Sequence, residues 1–339
     1  MRILITGAAG FVAFHLAKSL LREGHTVVGI DNMMSGQEKN VADLEAEFSY
    51  RFGFLKADVN DLNARSISSN VRWCELLGLP QPHSPSQTSL PRFDRIYHLA
   101  CPASPPIYQK DMLHTLDTCY IGSRNMYELA KIHNARILIA STSEIYGDPE
   151  VHPQPEDYRG NVNTVGIRSC YDEGKRAMET MGFIYREQHG LEVRTARIFN
   201  TYGPRMSPSD GRVLTNFISQ ALQGESLTIY GDGQQTRSFC YVDDLVRGLR
   251  LLMESDVAVP VNLGSQFEFT IKEMAEKVIQ WINPKLNFRY LPLPKDDPKV
   301  RRPLTSRAKE LLGWETQVSL ETGVMQMIEE FKSTMTIES

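Results

Sequence analysis

The sequence contains no apolar run that approaches the roughly 20 residues of a membrane-spanning helix. No signal-peptide pattern precedes the first predicted strand, which begins at the first residues of the sequence. The first absence argues against a protein that crosses a membrane, and the second argues against a secreted one. Together they favour a cytoplasmic protein.

The sequence has no excess of positive charge, and cysteine is scarce. The formal net charge is −4 and the pI is about 6.1, which excludes the basic field of a nucleic-acid-binding protein. The five cysteines are scattered without a CxxC pair or a metal-ligand spacing, so we predict no metal site and reduced thiols in a reducing compartment. The 339 residues are 41% hydrophobic and 23% charged, which is typical of a globular protein.

The first motif is a glycine turn between a strand and a helix. The apolar residues 3–5 predict a short strand, Gly7 and Gly10 follow it, and Val12 begins a run with apolar residues every fourth position. Glycines let backbone N–H groups approach a pyrophosphate, which the N-terminus of the helix also favours. We therefore predict that Gly7, Gly10, Phe11 and Val12 bind a dinucleotide. For the glycines alone, a tight turn without a ligand is the alternative.

An acidic residue supports the dinucleotide interpretation. Asp31 ends a second predicted strand, 21 positions after Gly10. A carboxylate there can bind both ribose hydroxyls of NAD and would repel the 2′-phosphate of NADP, so we predict NAD as the cofactor. Asp58 and Val59 end a third predicted strand, near the adenine. The remaining predicted cofactor contacts are Asn32, Leu99 and Ala100.

The stretch 141–175 carries the predicted chemistry. An apolar run at 137–140 predicts a buried parallel strand, and Thr142, Ser143 and Glu144 follow it. Side chains just past such a strand lie at its carboxyl end, where open α/β sheets bind ligands. We therefore expect all three side chains at a ligand site.

A tyrosine and a lysine complete this stretch. Tyr171 and Lys175 are four residues apart, a spacing that places both on one face of a helix. An ammonium group near a phenol favours the phenolate and lowers the pKa of the phenol. Tyr171 is therefore a candidate general base near neutral pH.

Other side chains could reach a substrate. Asn200 follows a predicted strand, and Arg212 and Arg237 are candidates for gripping a diphosphate, because a guanidinium group meets phosphate oxygens as a fork. Ordinary surface charge is the alternative for either arginine. We also assign Tyr108, which follows a stiff proline loop, and Tyr241 to the substrate site. Loop packing is the alternative for Tyr108.

The order of these motifs predicts an α/β fold, a Rossmann-type doubly wound parallel sheet with a smaller C-terminal α/β substrate-binding domain. We predict that the NAD-binding domain spans residues 1–200 with a returning segment at about 241–265. Residues 201–240 and 266–339 then form the domain that binds a sugar nucleotide. The proline- and serine-rich stretch 66–92 predicts a surface insertion, to which we assign no function.

Two helical stripes of small or apolar residues could pair between subunits as a four-helix bundle, so we predict a homodimer. Packing on the sheet explains the stripes equally well. Their members recur every three or four residues: Met112, Leu116, Cys119, Ser123, Met126 and Ala130 in one helix, and Ala177, Met181 and Ile184 in the other.

Several long runs are recognisable as a family pattern. They accompany the glycine turn, Asp31 and the Tyr171–Lys175 pair, and are densest from 98 to 242: 98–106, 141–149, 152–154, 161–163, 168–176, 197–206 and 235–239. On these runs the chain resembles the extended short-chain dehydrogenase/reductase superfamily and, within it, the UDP-glucuronic acid decarboxylases. Ala13-Phe14 depart from the usual glycine-serine, and Leu304 replaces a common aspartate.

The resemblance implies an NAD-dependent conversion of UDP-glucuronate to UDP-xylose. Tyr171 would take the C4 hydroxyl proton while hydride passes to NAD, and the resulting β-keto acid would lose CO2 before hydride returns to C4. Lys175 would bind the nicotinamide ribose, and Thr142 would support charge on O4. Arg301 would grip the C6 carboxylate, while Glu144 would favour loss of CO2 or position the water that protonates C5.

Ser143 separates this family from its relatives. With Tyr108 it would orient the carboxylate, whereas the 4,6-dehydratases place an aspartate there as the acid for water elimination. Serine cannot do that, so dehydratase activity is disfavoured. A 4-epimerase, or a decarboxylase that forms a 4-keto pentose or apiose, is the alternative enzyme. The intact Thr142, Tyr171 and Lys175 disfavour a non-catalytic NAD-binding scaffold.

Overall fold

The computed structural model describes residues 1–62, 92–293 and 300–337. Its centre is a seven-stranded sheet in the order β11-β6-β5-β4-β1-β2-β3, in which every neighbouring pair is parallel. These strands are β1 (Arg2–Thr6), β2 (Thr26–Asp31), β3 (Phe52–Lys56), β4 (Arg95–His98), β5 (Arg136–Thr142), β6 (Val193–Ile198) and β11 (Val261–Leu263). The predicted insertion at 66–92 lies outside the described residues, except for Arg92.

Helices cover both faces of the sheet, so the predicted doubly wound architecture is confirmed. In chain order they are α1 (Phe11–Arg22), α2 (Glu38–Phe48), α3 (Pro105–Tyr108), α4 (Met112–Asp117), α5 (Ser123–His133), α6 (Ser169–His189), α7 (Val213–Leu222), α8 (Val242–Glu254), α9 (Ile271–Ile282), α10 (Ser306–Leu312) and α11 (Leu320–Ile337). None of the described helices is long and apolar enough to cross a membrane.

Six short strands form three small ladders outside the main sheet. They are β7 (Thr201–Tyr202) with β10 (Cys240–Tyr241), β8 (Leu227–Tyr230) with β13 (Phe288–Leu291), and β9 (Thr236–Ser238) with β12 (Glu268–Thr270). After β10 the chain returns to the main sheet through α8 and β11, and β11 pairs with β6. The division of the chain into two domains remains a prediction.

The alternation of side chains along each strand builds two cores. In β1, Ile3 and Ile5 are buried with the residues of α1 and α8, whereas Leu4 belongs to the opposite core with residues of α5 and α6. This division follows from the period of two along a strand. The sheet is therefore buried on both faces, and only its edges and the strand ends remain for binding.

The strand ends position the site. Predicted site residues follow the carboxyl ends of β1, β2, β3, β4 and β5, and Asn200 follows β6. The strand order reverses between β1 and β4, the switch point at which open sheets of this kind bind ligands. The fold alone thus brings residues from six separate stretches to one edge of the sheet.

A π-helical turn, Thr118–Gly122, joins α4 to α5 and changes the predicted dimer stripe. Met112 and Leu116 are exposed, but Cys119, Ser123, Met126 and Ala130 are buried within the chain. A π turn adds one residue, which rotates all that follows by about 100° relative to a regular α-helix. The residues of the predicted stripe before the π turn and those after it therefore lie on two different faces.

Candidate active site

A cavity of about 1030 Å³ opens at the carboxyl edge of the main sheet. It is lined by nearly all of the predicted site residues: Gly7, Gly10, Phe11, Val12, Asp31, Asn32, Asp58, Val59, Leu99, Ala100, Thr142, Ser143, Glu144, Tyr171, Lys175, Asn200, Arg212, Arg237 and Arg301. Tyr108 and Tyr241 do not line it. Residues as far apart as Gly7 and Arg301 therefore share one site.

The glycine turn forms one end of the cavity. Gly7 has a φ of +72°, and a Cβ added to it would lie 3.0 Å from the backbone nitrogen and Cα of Ala100. Gly10 stands at the N-terminus of α1 and donates its backbone N–H to the Gly7 carbonyl at 3.0 Å. A side chain at position 7 would close the gap between the turn and β4, so the sequence keeps this approach open with glycine.

Asp31 faces this turn, and no basic side chain among the described residues pairs with it. Its carboxylate accepts backbone N–H groups from Ala9 at 3.1 Å and Met33 at 2.8 Å. Burial raises the pKa of Asp31 above its usual value, and these two hydrogen bonds only partly oppose the effect. The Asp31 carboxylate can therefore accept hydrogen bonds from hydroxyl groups of a ligand, whereas it would repel a second anion.

The next polar cluster lies beside Asp31. Asn32 donates to Asp58 at 2.7 Å, and His114 of α4 lies 3.4 Å from the same carboxylate. Asp58 follows β3 by two residues rather than ending it, because the strand stops at Lys56. Sequence reasoning misses His114, since only the fold brings α4 across the end of β3.

Tyr171 and Lys175, the predicted catalytic pair, lie on one face of α6. The Lys175 ammonium donates to the Ala140 carbonyl at 2.8 Å and lies 5.7 Å from the centre of the Tyr171 ring. The predicted lowering of the Tyr171 pKa is not found in the chain alone. Burial raises the pKa of Tyr171 well above its usual value, Cys101 adds to this, and a hydrogen bond with Thr142 opposes it. Desolvation of the phenolate outweighs the nearby cation.

Glu144 lies in a clamp of arginines. Arg301 binds it with two hydrogen bonds, at 2.7 and 2.9 Å, and Arg168 binds the same carboxylate at 2.5 Å. Burial alone would raise the pKa of Glu144, but Arg301 and Arg168, with Arg237 nearby, outweigh it and hold the pKa at about 2. Glu144 is therefore a permanent anion near neutral pH.

Sequence reasoning misses Arg168 and Asp172 in this clamp. Arg168 is the N-cap residue of α6, three residues before Tyr171, so it enters the site on the same helix. Asp172 is buried beside the clamp, and burial together with the Glu144 charge raises its pKa to about 7. The available signal was position alone, since both residues flank the predicted base.

Two predicted substrate residues lie outside the cavity. Tyr108 is buried and stacks on Tyr171, with ring centres 5.0 Å apart, so it supports the base from behind. Tyr241 packs against Tyr202 and donates its hydroxyl to Gln326 of α11. The structure therefore does not support a substrate contact for Tyr241, because β10 turns its side chain into the core.

The predicted diphosphate arginines lie on the far side of the cavity. Arg212 is the N-cap residue of α7 and pairs with Asp210 at 2.9 Å. Arg237 in β9 is buried and adds positive charge near Glu144. One arginine therefore stands at a helix N-terminus suited to phosphate, and the other extends the clamp.

Comparison with known proteins agrees with this arrangement. Residues 3–264 match the model of the NAD dependent epimerase/dehydratase family. The chain belongs to that family. Within the NAD dependent epimerase/dehydratase family, it is 48% identical to UDP-glucuronic acid decarboxylase 3 of Arabidopsis thaliana over 334 residues, 98% of this chain and 89% of the relative. It is also 48% identical to UDP-glucuronic acid decarboxylase 1 of Danio rerio, over 97% of this chain and 72% of that one. The predicted resemblance is confirmed.

Solved structures of other family members share the fold. A UDP-glucose 4-epimerase from Thermotoga maritima with UDP-glucose superposes with a TM-score of 0.85 at 28% identity, covering 99% of this chain and 100% of that one. A UDP-glucuronic acid 4-epimerase from Bacillus cereus, in complex with UDP-glucuronic acid and NAD, gives 0.82 at 25% identity, covering 98% and 100%. The sequence relatives are thus decarboxylases, whereas these structural neighbours are epimerases.

Proposed function

We propose that this chain decarboxylates UDP-glucuronate to UDP-xylose, with NAD as a recycled cofactor and a UDP-4-keto sugar as the intermediate. The observation that carries the proposal is the arginine clamp on Glu144, beside Tyr171 and Thr142. Three arginines around one carboxylate leave positive charge for a second anion, which a uronate supplies and a neutral hexose does not. The identity to UDP-glucuronic acid decarboxylases supports the same substrate.

The residues at the first end of the cavity fit NAD. Gly7 and the N-terminus of α1 would hold the pyrophosphate, and Asp31, without a basic neighbour, would hold ribose hydroxyls. NAD, when bound, supplies the hydride acceptor for oxidation at C4 and a cationic ring near the catalytic pair. That positive charge would favour the Tyr171 phenolate, which burial disfavours in the chain alone.

Tyr171 and Thr142 act on the sugar hydroxyl. The Tyr171 oxygen accepts the proton from the C4 hydroxyl and returns it when the 4-keto group is reduced again. Thr142, which hydrogen-bonds Tyr171, supports charge on O4. Ser143 is buried at the next position and lines the cavity, where it orients the carboxylate.

The oxidation makes carboxylate loss possible. A carbonyl at C4 stands β to the C6 carboxylate, so the electron pair left by departing CO2 is delocalised as an enolate. Arg301 holds the uronate in this proposal while remaining bound to Glu144, and the substrate carboxylate therefore meets an ion pair rather than a lone guanidinium group. The substrate carboxylate and Glu144 repel one another, and loss of that carboxylate as neutral CO2 relieves the repulsion.

The low pKa of Glu144 defines its part in the last step. A carboxyl group with a pKa of about 2 holds no proton near pH 7. Glu144 therefore cannot donate the C5 proton itself and instead accepts a hydrogen bond from the water that delivers it. At the other end of the substrate, Arg212 and the N-terminus of α7 hold the diphosphate, and Asn200 bonds the sugar.

The experiment is to incubate the purified protein with UDP-glucuronate and NAD and follow the sugar by NMR. UDP-xylose and an equal amount of CO2 are the expected products. A C4 epimer without CO2 would establish the epimerase alternative, and a released 4-keto pentose would establish incomplete recycling of NAD. UDP-glucose serves as the matched control substrate, because it lacks the carboxylate and should give neither product.

We also propose a homodimer, formed through α4, the π turn and α6. These elements leave large apolar side chains exposed, with Leu113 exposed by 70% and Phe183 by 57%. A second copy would cover this surface as a four-helix bundle.

Replacing Leu113 by glutamate should give a monomer in sedimentation analysis, whereas the same change at the exposed Val259, away from these helices, should not. The two-domain division and the cytoplasmic location remain predictions.

A further inference from the structure

Two cysteines stand together beside the catalytic helix. The sulfur atoms of Cys101 and Cys119 are 3.4 Å apart, although 18 residues separate them in the sequence. Cys101 follows β4 and lines the cavity, whereas Cys119 lies in the π turn and is buried. A closure of roughly 1.4 Å would bring the sulfurs to the S–S bond length of about 2.05 Å.

The surroundings of the pair connect it to the chemistry. A Cβ added to Gly174 would lie 2.8 Å from the Cys119 Cβ, so Cys119 packs against α6 between Tyr171 and Lys175. Burial opposes ionisation of Cys101, but the Cys119 thiol hydrogen bond and the Lys175 ammonium outweigh it and lower the Cys101 pKa. Cys101 is thus the thiol that a small molecule in the cavity can reach. The Cys119 sulfur is close enough to form a disulfide with an oxidised Cys101.

We propose that Cys101 and Cys119 form a reversible disulfide when a hydroperoxide enters the cavity, and that this bond stops turnover. The Cys101 thiolate attacks a peroxide oxygen, the O–O bond breaks, and a sulfenic acid and an alcohol form. The Cys119 sulfur then attacks the sulfenic sulfur and water leaves with the thiol proton. Overall, two thiols lose two electrons and the hydroperoxide is reduced to an alcohol and water.

The disulfide would slow turnover by displacing the π turn, which packs against α6 beside Tyr171. Closing the sulfurs draws the π turn toward the end of β4 and away from its packing on Gly174. A misplacement of about 1 Å in a catalytic frame can reduce the rate by about 10²-fold. Dithiothreitol should restore the rate in full, because it reduces the disulfide back to two thiols.

The test uses the full chain with its bound cofactor and tert-butyl hydroperoxide. After alkylation of free thiols, trypsin separates the two cysteines, because it cuts after Lys110 and yields peptides 96–110 and 111–124. We expect these peptides to be linked in parallel with the loss of decarboxylation. A linkage of Cys101 to Cys170 or Cys74 instead, no linkage at all, or linkage with full activity would each overturn the proposal.

Two serine variants complete the test. Cys119→Ser should keep its rate during brief peroxide treatment and show Cys101 as a sulfenic acid trapped by dimedone. Cys240→Ser, at a buried core position, should form the linkage and lose activity as the unmodified protein does. The activity measurement rests on the proposed function, whereas the peptide mapping does not. A protein that links these peptides but never turns over UDP-glucuronate would refute only the function.

Discussion

Two carboxylates, Asp31 after β2 and Glu144 after β5, stand at the carboxyl edge of one sheet and have opposite electrostatic settings. Among the described residues Asp31 accepts hydrogen bonds from backbone N–H groups, and burial raises its pKa. Glu144 is held by two arginines, and its pKa falls to about 2. Among the described residues, no basic side chain pairs with Asp31, whereas three arginines surround Glu144. The difference assigns neutral hydroxyl groups to one end and an anion to the other.

The largest expected effect comes from removing the charge of Glu144. We expect Glu144→Gln to lower kcat for UDP-glucuronate by about 10²- to 10⁴-fold, the range for general acid–base catalysis, because the water that protonates C5 loses its charged hydrogen-bond acceptor. KM should stay the same or fall, because repulsion of the substrate carboxylate is gone. Steady-state kinetics separate the two constants. Glu173→Gln, half-exposed and paired with Arg176, is the matched control and should retain its rate. A raised KM with unchanged kcat would reduce Glu144 to a support for Arg301.

Removing Arg301 should have the next largest effect. Arg301→Ala should lower kcat/KM for UDP-glucuronate by about 10²- to 10³-fold, since truncating one partner of a buried charge pair costs about 2–5 kcal/mol. The affinity for NAD, measured by calorimetry, should be unchanged. Arg302→Ala, at the next residue and outside the cavity lining, is the control. Equal losses of substrate and NAD binding would show that Arg301 has a structural role. They would also contradict the assignment of separate ligands to the Asp31 and Glu144 ends of the cavity.

A smaller effect is expected at the other end of the cavity. Asp31→Asn removes a charge-assisted acceptor for ribose hydroxyls, which is typically worth about 1.5–3 kcal/mol, so NAD should bind about 10- to 100-fold more weakly. The affinity for NADP should fall less or rise, because the like-charge repulsion disappears. Titration of cofactor-stripped protein with both dinucleotides measures the ratio. An unchanged ratio would show that Asp31 serves the turn through Ala9 and Met33 rather than the cofactor.

The smallest expected effect concerns pH. Asp172 has a pKa of about 7 in the folded chain against a usual value of 3.8. Between these values the folded state holds a proton that the unfolded state has lost, so this residue makes stability fall as pH rises from about 4 to 7. Asp172→Asn cannot ionise and should gain about 5 °C in Tm relative to the unsubstituted chain over that interval, since about three pKa units correspond to about 4 kcal/mol. Parallel Tm curves from pH 5 to 8 would contradict the raised pKa.

Local signals explain why the cofactor end could be predicted. The glycine turn and Asp31 lie within one strand–helix–strand unit, where sequence distance and spatial distance are both short. The sheet was predictable for the same reason, since its strands are continuous apolar runs. The Tyr171–Lys175 spacing likewise fixes one face of a helix. These features depend on periodicity, which a single sequence displays.

The remaining features depend on which segments meet. Arg168 and Asp172 flank the predicted base, but only the fold turns them onto Glu144. Tyr241 is the last residue of β10, and its side chain packs against Tyr202 and donates to Gln326 of α11 instead of lining the cavity. The π turn changes the facing of a helix without changing the spacing of its residues. Arg301 was identified through family resemblance, not by any property of its own surroundings in the sequence.

The distance of 157 residues between Glu144 and Arg301 has a consequence for how the protein is made. A ribosome delivers the glycine turn and Asp31 early and delivers Arg301 only 157 residues after Glu144. Until then Glu144 has only Arg168 and the nearby Arg237 to offset its burial. The emerging chain can therefore assemble a cofactor cradle well before it has a complete place for an acidic sugar. The Glu144–Arg301 ion pair thus makes completion of the predicted sugar site depend on a segment that is synthesised long after the cofactor end of the cavity.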